Sequence, residues 1–186
     1  GGEGTAAALK ETLSGEWQSI IAHDPLMRPI EASYVLLPNQ TAIIEMASCA
    51  GLHLLTQSER DPGITTTYGV GEMLLDAIDK GAKHIILGIG GSATNDAGTG
   101  MLKALGYRFL DAQHHELAQG GKALAALAFI DSSGVNDKIA DISITVACDV
   151  TNPLCGKLGA SHVYAPQKGA TLDDIVILDN ALNHFA

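Results

Sequence analysis

The sequence predicts an α/β protein with a mixed sheet, in which an antiparallel meander precedes parallel strand–helix–strand units. Two observations lead to this fold class. Three β-rich runs, at residues 17–22, 30–37 and 41–46, lie close together and are separated by short turns that contain proline or asparagine. After residue 50, apolar residues recur at helical spacing and alternate with short Ile-rich runs, which is typical of crossover connections between parallel strands.

The elements follow in chain order. Helix formers fill residues 6–13 and end at Ser14-Gly15, and the three-stranded meander comes next. A helix over about 70–78 is expected, with Thr66 or Thr67 as its cap and Gly81 at its end. Residues 84–87 predict a strand, 101–105 a helix and 107–110 a second strand, which together would form a parallel crossover unit.

The last third of the chain predicts one strand, a long loop and one helix. Residues 142–148 form a strong strand pattern, whereas 149–169 are rich in proline and glycine. Thr171 can cap a final helix whose apolar stripe consists of Ile175, Leu178, Leu182 and Phe185.

Composition excludes several function classes. The 186 residues carry a formal net charge of −10, and the eleven basic residues are spread singly. Nucleic acids and anionic membranes are therefore not expected as partners, because no basic cluster is present to neutralise phosphates. No apolar stretch is long enough to span a bilayer and no signal peptide opens the chain, so we expect a cytoplasmic protein. The three cysteines suggest neither a disulfide framework nor a zinc site, and we expect small buried hydrophobes.

The glycine-rich stretch GIGGSATND, residues 88–96, is the main candidate for chemistry. It follows a predicted strand and precedes a predicted helix, the place where α/β proteins bind anions through free backbone N–H groups. A tight turn without a ligand is the simpler alternative. A P-loop is excluded, because the next lysine after the glycines is Lys103.

Two interpretations of this loop remain open from the residues alone. An NAD(P)-binding oxidoreductase domain would use Gly88, Gly90 and Ala93 as its fingerprint and Asp111 for the ribose. The carboxylate of Asp96 argues against it, because it would repel a pyrophosphate. A phosphotransferase would bind phosphate through the backbone N–H groups of Gly90 and Gly91 and the hydroxyls of Ser92 and Thr94. Asn95 and Asp96 would supply oxygen ligands for Mg²⁺ or a base for the substrate hydroxyl.

Six ordered motifs resemble the glycerate kinase family. The longest is GIGGSATNDAGTGML, close to the family's GIGGSATNDGGxGM, with Ala97 where a glycine is common. The others are GGEGT at residues 1–5, AIIEMASCAGL at 42–52, TTTYGVGEML at 65–74, ACDVTNPLCG at 147–156 and PQKGA at 166–170. Residues 24–27, DPLM, stand where the family usually has GPLG, and this difference affects only the geometry of a turn.

The resemblance implies transfer of the ATP γ-phosphoryl group to a hydroxyl of D-glycerate with Mg²⁺, in organic acid metabolism. It also implies a two-domain α/β kinase about twice this length, with its active site in the cleft between the domains. Residues 1–16 would then be a remnant of the first domain, and 17–186 a largely complete second domain without its C-terminal continuation. The sequence leaves open whether the chain is active alone. It also leaves open the oligomeric state, for which a homo-oligomer is one alternative.

Further site residues are hypotheses that stand beside simpler roles. Asp149 follows a predicted strand and is a second candidate for metal ligand or base, or else a turn cap. Lys168 could meet the transferring phosphoryl group or be a solvated loop lysine. Glu45 could be a carboxylate of the cleft. The hydroxyls at residues 65–67, including Thr66 and Thr67, could bind a carboxylate or cap the helix, and Glu3 is expected to be mobile.

Overall fold

The computed structural model describes residues 4–186; Glu3 and the rest of the 1–3 segment lie outside the described part. The described residues form six helices: α1 (Thr5–Leu13), α2 (Ala47–Ala50), α3 (Tyr68–Asp79), α4 (Thr99–Ala104), α5 (Ala160–Tyr164) and α6 (Leu172–Phe185). The strands are β1 (Glu16–His23), β2 (Pro29–Leu36), β3 (Thr41–Glu45), β4 (His84–Gly88), β5 (Arg108–Leu110), β6 (Phe129–Asp131) and β7 (Ser143–Ala147). Short 3₁₀ turns connect them, among them Leu52–Leu54, Gln57–Glu59, Gly121–Ala126, Asp137–Asp141 and Pro166–Lys168.

The main sheet is mixed, as the sequence predicts. Its strand order is β1-β2-β3-β4-β7; β1, β2 and β3 pair antiparallel, and β4 pairs parallel with both β3 and β7. The register aligns the ends of the parallel strands, since Glu45 lies opposite Gly88 and Gly88 opposite Ala147. The loops that follow these three strands therefore leave from one edge of the sheet.

The predicted crossover unit from residue 84 to residue 110 is wrong. β5 does not join the main sheet but pairs antiparallel with β6 in a separate two-stranded sheet. The physical reason is the length of α4, whose six residues span about 9 Å, whereas the five residues of β4 span about 16 Å. Such a short helix cannot return the chain along the strand, so the parallel neighbour of β4 comes from β7 instead.

Helix α3 carries most of the core on one face of the sheet. Its residues Val70, Met73 and Leu74 are fully buried in one apolar cluster that includes Ile44 and Ile85 of the parallel strands. On α3, Gly71 allows close contact with α4, because a Cβ there would lie 2.4 Å from the carbonyl oxygen of Met101. The α3–α4 pair is thus a rigid support for the loop between β4 and α4.

Smaller clusters complete the fold. Helix α1 packs Ala6 against Val35, Leu37 and Ile43 on the other face of the sheet. Helix α6 packs Leu182 against the 3₁₀ turn that holds Leu124, and its N-terminus is capped by Thr171, as the sequence predicts. Within residues 4–186, no helix has the length and apolar character needed to cross a membrane.

Candidate active site

A cavity of about 480 Å³ opens at the edge where β4 and β7 end. The loop after β4, the segment after β7, α5 and the turn Pro166–Lys168 surround it. Five of the residues predicted to be functional line this cavity: Gly90, Gly91, Ser92, Asp149 and Lys168. The carboxyl edge of parallel strands is where α/β proteins place their ligands, so its position fits a binding site.

The residues of the loop after β4 that line the cavity have free backbone amide donors. Among the hydrogen bonds of the described residues, none uses the backbone N–H of Gly90, Gly91 or Ser92. The loop is nevertheless held in place, because Gly91 accepts a hydrogen bond from the Leu52 N–H at 2.9 Å. Gly91 also has a φ of +73°, which other residues adopt only with strain. Three unpartnered donors in a fixed loop can bind an oxyanion.

Lys168 is buried beside this loop rather than solvated. Its Nζ donates to Ser92 Oγ at 2.9 Å and to the Thr94 carbonyl at 2.7 Å, and 8% of the residue is exposed. Burial lowers the pKa of this ammonium to about 8, while the negative charge of Asp96 acts in the opposite direction. The turn that carries Lys168 packs closely against Arg60, since a Cβ at Gly169 would lie 2.2 Å from the Arg60 carbonyl oxygen.

Asp96 lies behind the cavity wall and is almost fully buried. Its Oδ2 accepts hydrogen bonds from the Thr67 N–H at 2.9 Å, the Thr67 hydroxyl at 2.8 Å and the Gly100 N–H at 3.2 Å. Its Oδ1 accepts one from the Gly98 N–H at 3.1 Å. Asp96 therefore joins the start of α3 to the start of α4, which is the helix-terminal role that the sequence left open beside catalysis.

Other predicted residues also brace the loop from behind. Asn95 donates to Ser161 Oγ at 3.0 Å, and both Thr94 and Asn95 are buried. The Thr66 hydroxyl donates to Gln119 and accepts from the Tyr68 N–H, whereas the Thr67 hydroxyl turns to Asp96 and does not cap α3. The Asn95 and Thr67 side chains tie the loop to neighbouring elements, Thr66 links the start of α3 to Gln119, and none of these residues lines the cavity.

Glu45 lies at the edge of the sheet where the parallel strands end, but its side chain contacts α1 and not the cavity. Its Oε1 accepts a hydrogen bond from the Ala6 N–H at 3.0 Å, at the beginning of α1. Glu45 does not line the cavity. It links α1 to the end of β3.

The carboxylates of Asp149 and Asp96 differ in whether they could bind Mg²⁺. Among residues 4–186 there is no group of three or more His, Cys, Asp or Glu side chains that could hold a metal. Mg²⁺ often keeps several waters and binds one or two carboxylates together with substrate phosphates. Asp149 is exposed and lines the cavity, so it fits such a site. Asp96 does not fit, because both its oxygens already accept N–H or O–H donors.

The oxidoreductase alternative finds no support in this geometry. A dinucleotide fingerprint needs a helix that begins at the glycine turn, but residues 89–98 separate β4 from α4. The N–H groups of Gly98 and Gly100 at the start of α4 bind Asp96. Asp111 lies in a turn outside the main sheet, where hydrogen bonds from the His115 and Gln113 N–H groups lower its pKa.

Sequence reasoning missed part of the cavity wall. Tyr164 donates to Asn152 Oδ1 at 2.6 Å, and both line the cavity, as does Gln167. Asn152 and Gln167 lie inside the motifs quoted for Asp149 and Lys168, so a search for polar neighbours in those motifs could have found them. Tyr164 had no comparable signal, because α5 has only five residues.

Cys148 departs from the expectation of a buried thiol. Cys49 is buried, but Cys148 is exposed and lines the cavity. The reason is its position just beyond β7, an edge strand whose first four residues are all exposed.

Comparisons with known proteins agree with this geometry. A profile described as the glycerate kinase family matches residues 1–186. The chain is 47% identical to a glycerate kinase of Bacillus subtilis (strain 168) and 47% identical to a glycerate 2-kinase of Escherichia coli (strain K12), over its whole length and 49% of each relative. A crystal structure of a protein assigned as glycerate kinase 2 from Salmonella typhimurium LT2 matches with a TM-score of 0.96 and 49% identity, over all of this chain and 50% of that one.

The chain thus spans about half the length of the relatives that it matches. The match of the family profile covers every residue of the chain, and the mixed sheet is shared with the Salmonella protein. We conclude that the chain belongs to the glycerate kinase family.

Proposed function

We propose that the protein containing this chain transfers the γ-phosphoryl group of ATP to a hydroxyl of D-glycerate. The observation that carries the proposal is the row of unpartnered N–H groups of Gly90, Gly91 and Ser92, in the same cavity as the buried Lys168 ammonium. Phosphoryl transfer is catalysed mainly by positioned donors and positive charge around the transferring group. Family membership and the names of the relatives support the same reaction.

In the proposed mechanism, the loop amides and Lys168 hold oxygens of the transferring phosphoryl group. The glycerate hydroxyl oxygen bonds to the γ-phosphorus, the bond to the β–γ bridging oxygen breaks, and the hydroxyl proton leaves to a base. Asp149, an exposed carboxylate that lines the cavity, would hold Mg²⁺ or take that proton. Mg²⁺, when bound, neutralises charge on the phosphates.

We assign positioning rather than catalytic roles to the residues behind the loop. Asp96 holds Thr67 and the start of α4, and Asn95 ties the loop to α5 through Ser161. Thr66 joins the start of α3 to Gln119, and Glu45 secures α1 at the same edge of the sheet. Replacement of Asp96 or Asn95 should disturb the loop geometry first and the chemistry only through it, whereas Thr66 and Glu45 act on α3 and α1.

The test is ADP formation by the full polypeptide that carries this chain, with D-glycerate and MgATP. We expect turnover that needs both substrates and Mg²⁺, and loss of most activity in Lys168→Met. Leu158→Ala is the control variant and should keep its activity, because Leu158 is exposed and does not line the cavity. Turnover with MgATP and other hydroxy acids but not with D-glycerate would contradict the proposed acceptor. The cytoplasmic location of the protein stays a prediction.

A further inference from the structure

The cavity at the candidate active site is lined by two chemically different sets of residues. The polar set consists of residues 90–92 with their free N–H groups, the Lys168 ammonium and Asp149. The apolar set, called the apolar wall below, contains Ile89, Val150 and Leu154. The two sets adjoin each other, because Ile89 directly precedes Gly90 and Val150 directly follows Asp149. A ligand that contacts both sets must join an apolar part to an anion.

The proposed acceptor cannot use the apolar wall. Glycerate has three carbons, and each carries oxygen, so it would bury polar groups against aliphatic side chains at a cost. The cavity volume of about 480 Å³ lies in the range of sites for ligands much larger than glycerate. The other proposed substrate, a purine nucleoside triphosphate, combines a flat aromatic base with a polyphosphate.

We propose that this cavity is the nucleotide subsite of the enzyme. The base packs between Ile89, Val150 and Leu154, the phosphates extend to the loop amides and Lys168, and glycerate approaches from outside the cavity. This inference rests on the proposed kinase function and goes beyond it by assigning the cavity to one of the two substrates.

One amide is free to recognise the base or the ribose. Asn152 is occupied on both sides, since it accepts from Tyr164 and donates to the Leu158 carbonyl at 2.9 Å. Gln167 also lines the cavity, and its side chain has no hydrogen bond among the described residues. It directly precedes Lys168 in the chain, so base recognition and phosphate binding would come from neighbouring residues.

The experiment compares two variants of the same loop in the full polypeptide. Leu154→Asp places a charge on the apolar wall, whereas Leu158→Asp places one outside it. The two leucines are 42% and 70% exposed in this chain, and thermal unfolding checks that both variants of the full polypeptide fold. We expect Leu154→Asp to raise the KM for ATP about tenfold or more and to leave the KM for D-glycerate unchanged. Leu158→Asp should change neither.

Binding of MgADP and of inorganic triphosphate, measured by titration calorimetry, gives a readout independent of turnover. Leu154→Asp should weaken MgADP at least tenfold and inorganic triphosphate little. A raised KM for D-glycerate alone, or an unfolding temperature lowered with both KM values unchanged, would overturn the inference and leave the kinase function standing. Wild-type protein that binds MgADP but never phosphorylates D-glycerate would instead remove the proposed function and keep the nucleotide subsite.

Discussion

The loop after β4 and the segment after β7 leave neighbouring parallel strands at the same edge, yet they are built in opposite ways. The first is buried behind its glycines, and Asp96, Thr67 and Lys168 hold it by hydrogen bonds. The second is exposed around Asp149 and Val150 and is stabilised by the Asn152–Tyr164 pair. A carboxylate in the first region is therefore a support, and a carboxylate in the second is available to a ligand.

The largest expected effect is kinetic and concerns the exposed segment. Asp149→Asn should lower kcat by a factor of about 10² to 10⁴, because it removes the carboxylate that we propose to hold Mg²⁺ or to accept the hydroxyl proton of the substrate. The unfolding temperature should not change, since the side chain is exposed. Steady-state kinetics over a range of Mg²⁺ concentrations provides the measurement. A kcat close to that of the wild type would remove Asp149 from the mechanism.

Replacement of the buried carboxylate Asp96 should lower the stability of the protein. Asp96→Ala leaves the N–H groups of Thr67, Gly98 and Gly100 without their acceptor, which should cost about 3–5 kcal/mol of the free energy of unfolding. Urea denaturation measures this cost, with Asp149→Ala as the exposed control. If Asp96→Ala were as stable as the wild type but inactive, Asp96 would be a catalytic residue and the contrast between the two regions would fail.

The pH dependence of stability tests the burial of Lys168. Its pKa is about 8 in the folded protein and about 10.4 in an unfolded chain. Between these values the unfolded state binds more protons, so the contribution of Lys168 to stability rises with pH, by up to about 3 kcal/mol. Burial raises the pKa of the Cys49 thiol to about 12, which lowers the stability of any variant that keeps Cys49 as the pH rises above 9. The rise due to Lys168 should therefore appear in the difference between the free energies of unfolding of the wild type and of Lys168→Met, measured between pH 7.5 and 10. If the free energies of unfolding of the two proteins changed with pH in the same way, Lys168 would be solvated rather than buried.

The smallest contrast compares two glycines. Gly100→Ala would place a Cβ 2.0 Å from Thr66 Oγ1 at the supported loop, and we expect it to cost about 2–3 kcal/mol of stability. Gly156, after β7, has a φ of +89° but no atom within 4 Å of a Cβ, so Gly156→Ala should cost only about 1 kcal/mol. Thermal unfolding ranks the two variants, and a reversed order would contradict the proposed difference in packing.

Local patterns predicted most of the sheet correctly. The short turns between β1, β2 and β3 favour pairing of neighbouring runs, and the Ile-rich run of β4 indicates a buried strand. The error at β5 came from assuming that a strand after a helix returns to the same sheet. That assumption needs a helix long enough to retrace the strand, and α4 is too short.

The candidate site was predicted less completely, because composition at a loop does not show which side chains turn inward. Asp96 and Asp149 have the same functional group and both lie in segments that follow a parallel strand, but Asp96 accepts four hydrogen bonds whereas Asp149 lines the cavity. Tyr164 carried no signal of its own, whereas Gln167 was overlooked inside the PQKGA motif.

The sequence by itself determined the order of the main-sheet strands and of the helices α1, α3, α4 and α6, the glycine-rich loop with its polar residues, and the family to which the chain belongs, since these depend on spacing and on short ordered motifs. Only the tertiary structure decided that Lys168 meets Ser92, 76 positions earlier in the chain, and that Asp96 serves the helices. The physical reason is that burial and hydrogen-bond saturation are properties of packed neighbours, which come from distant parts of the chain.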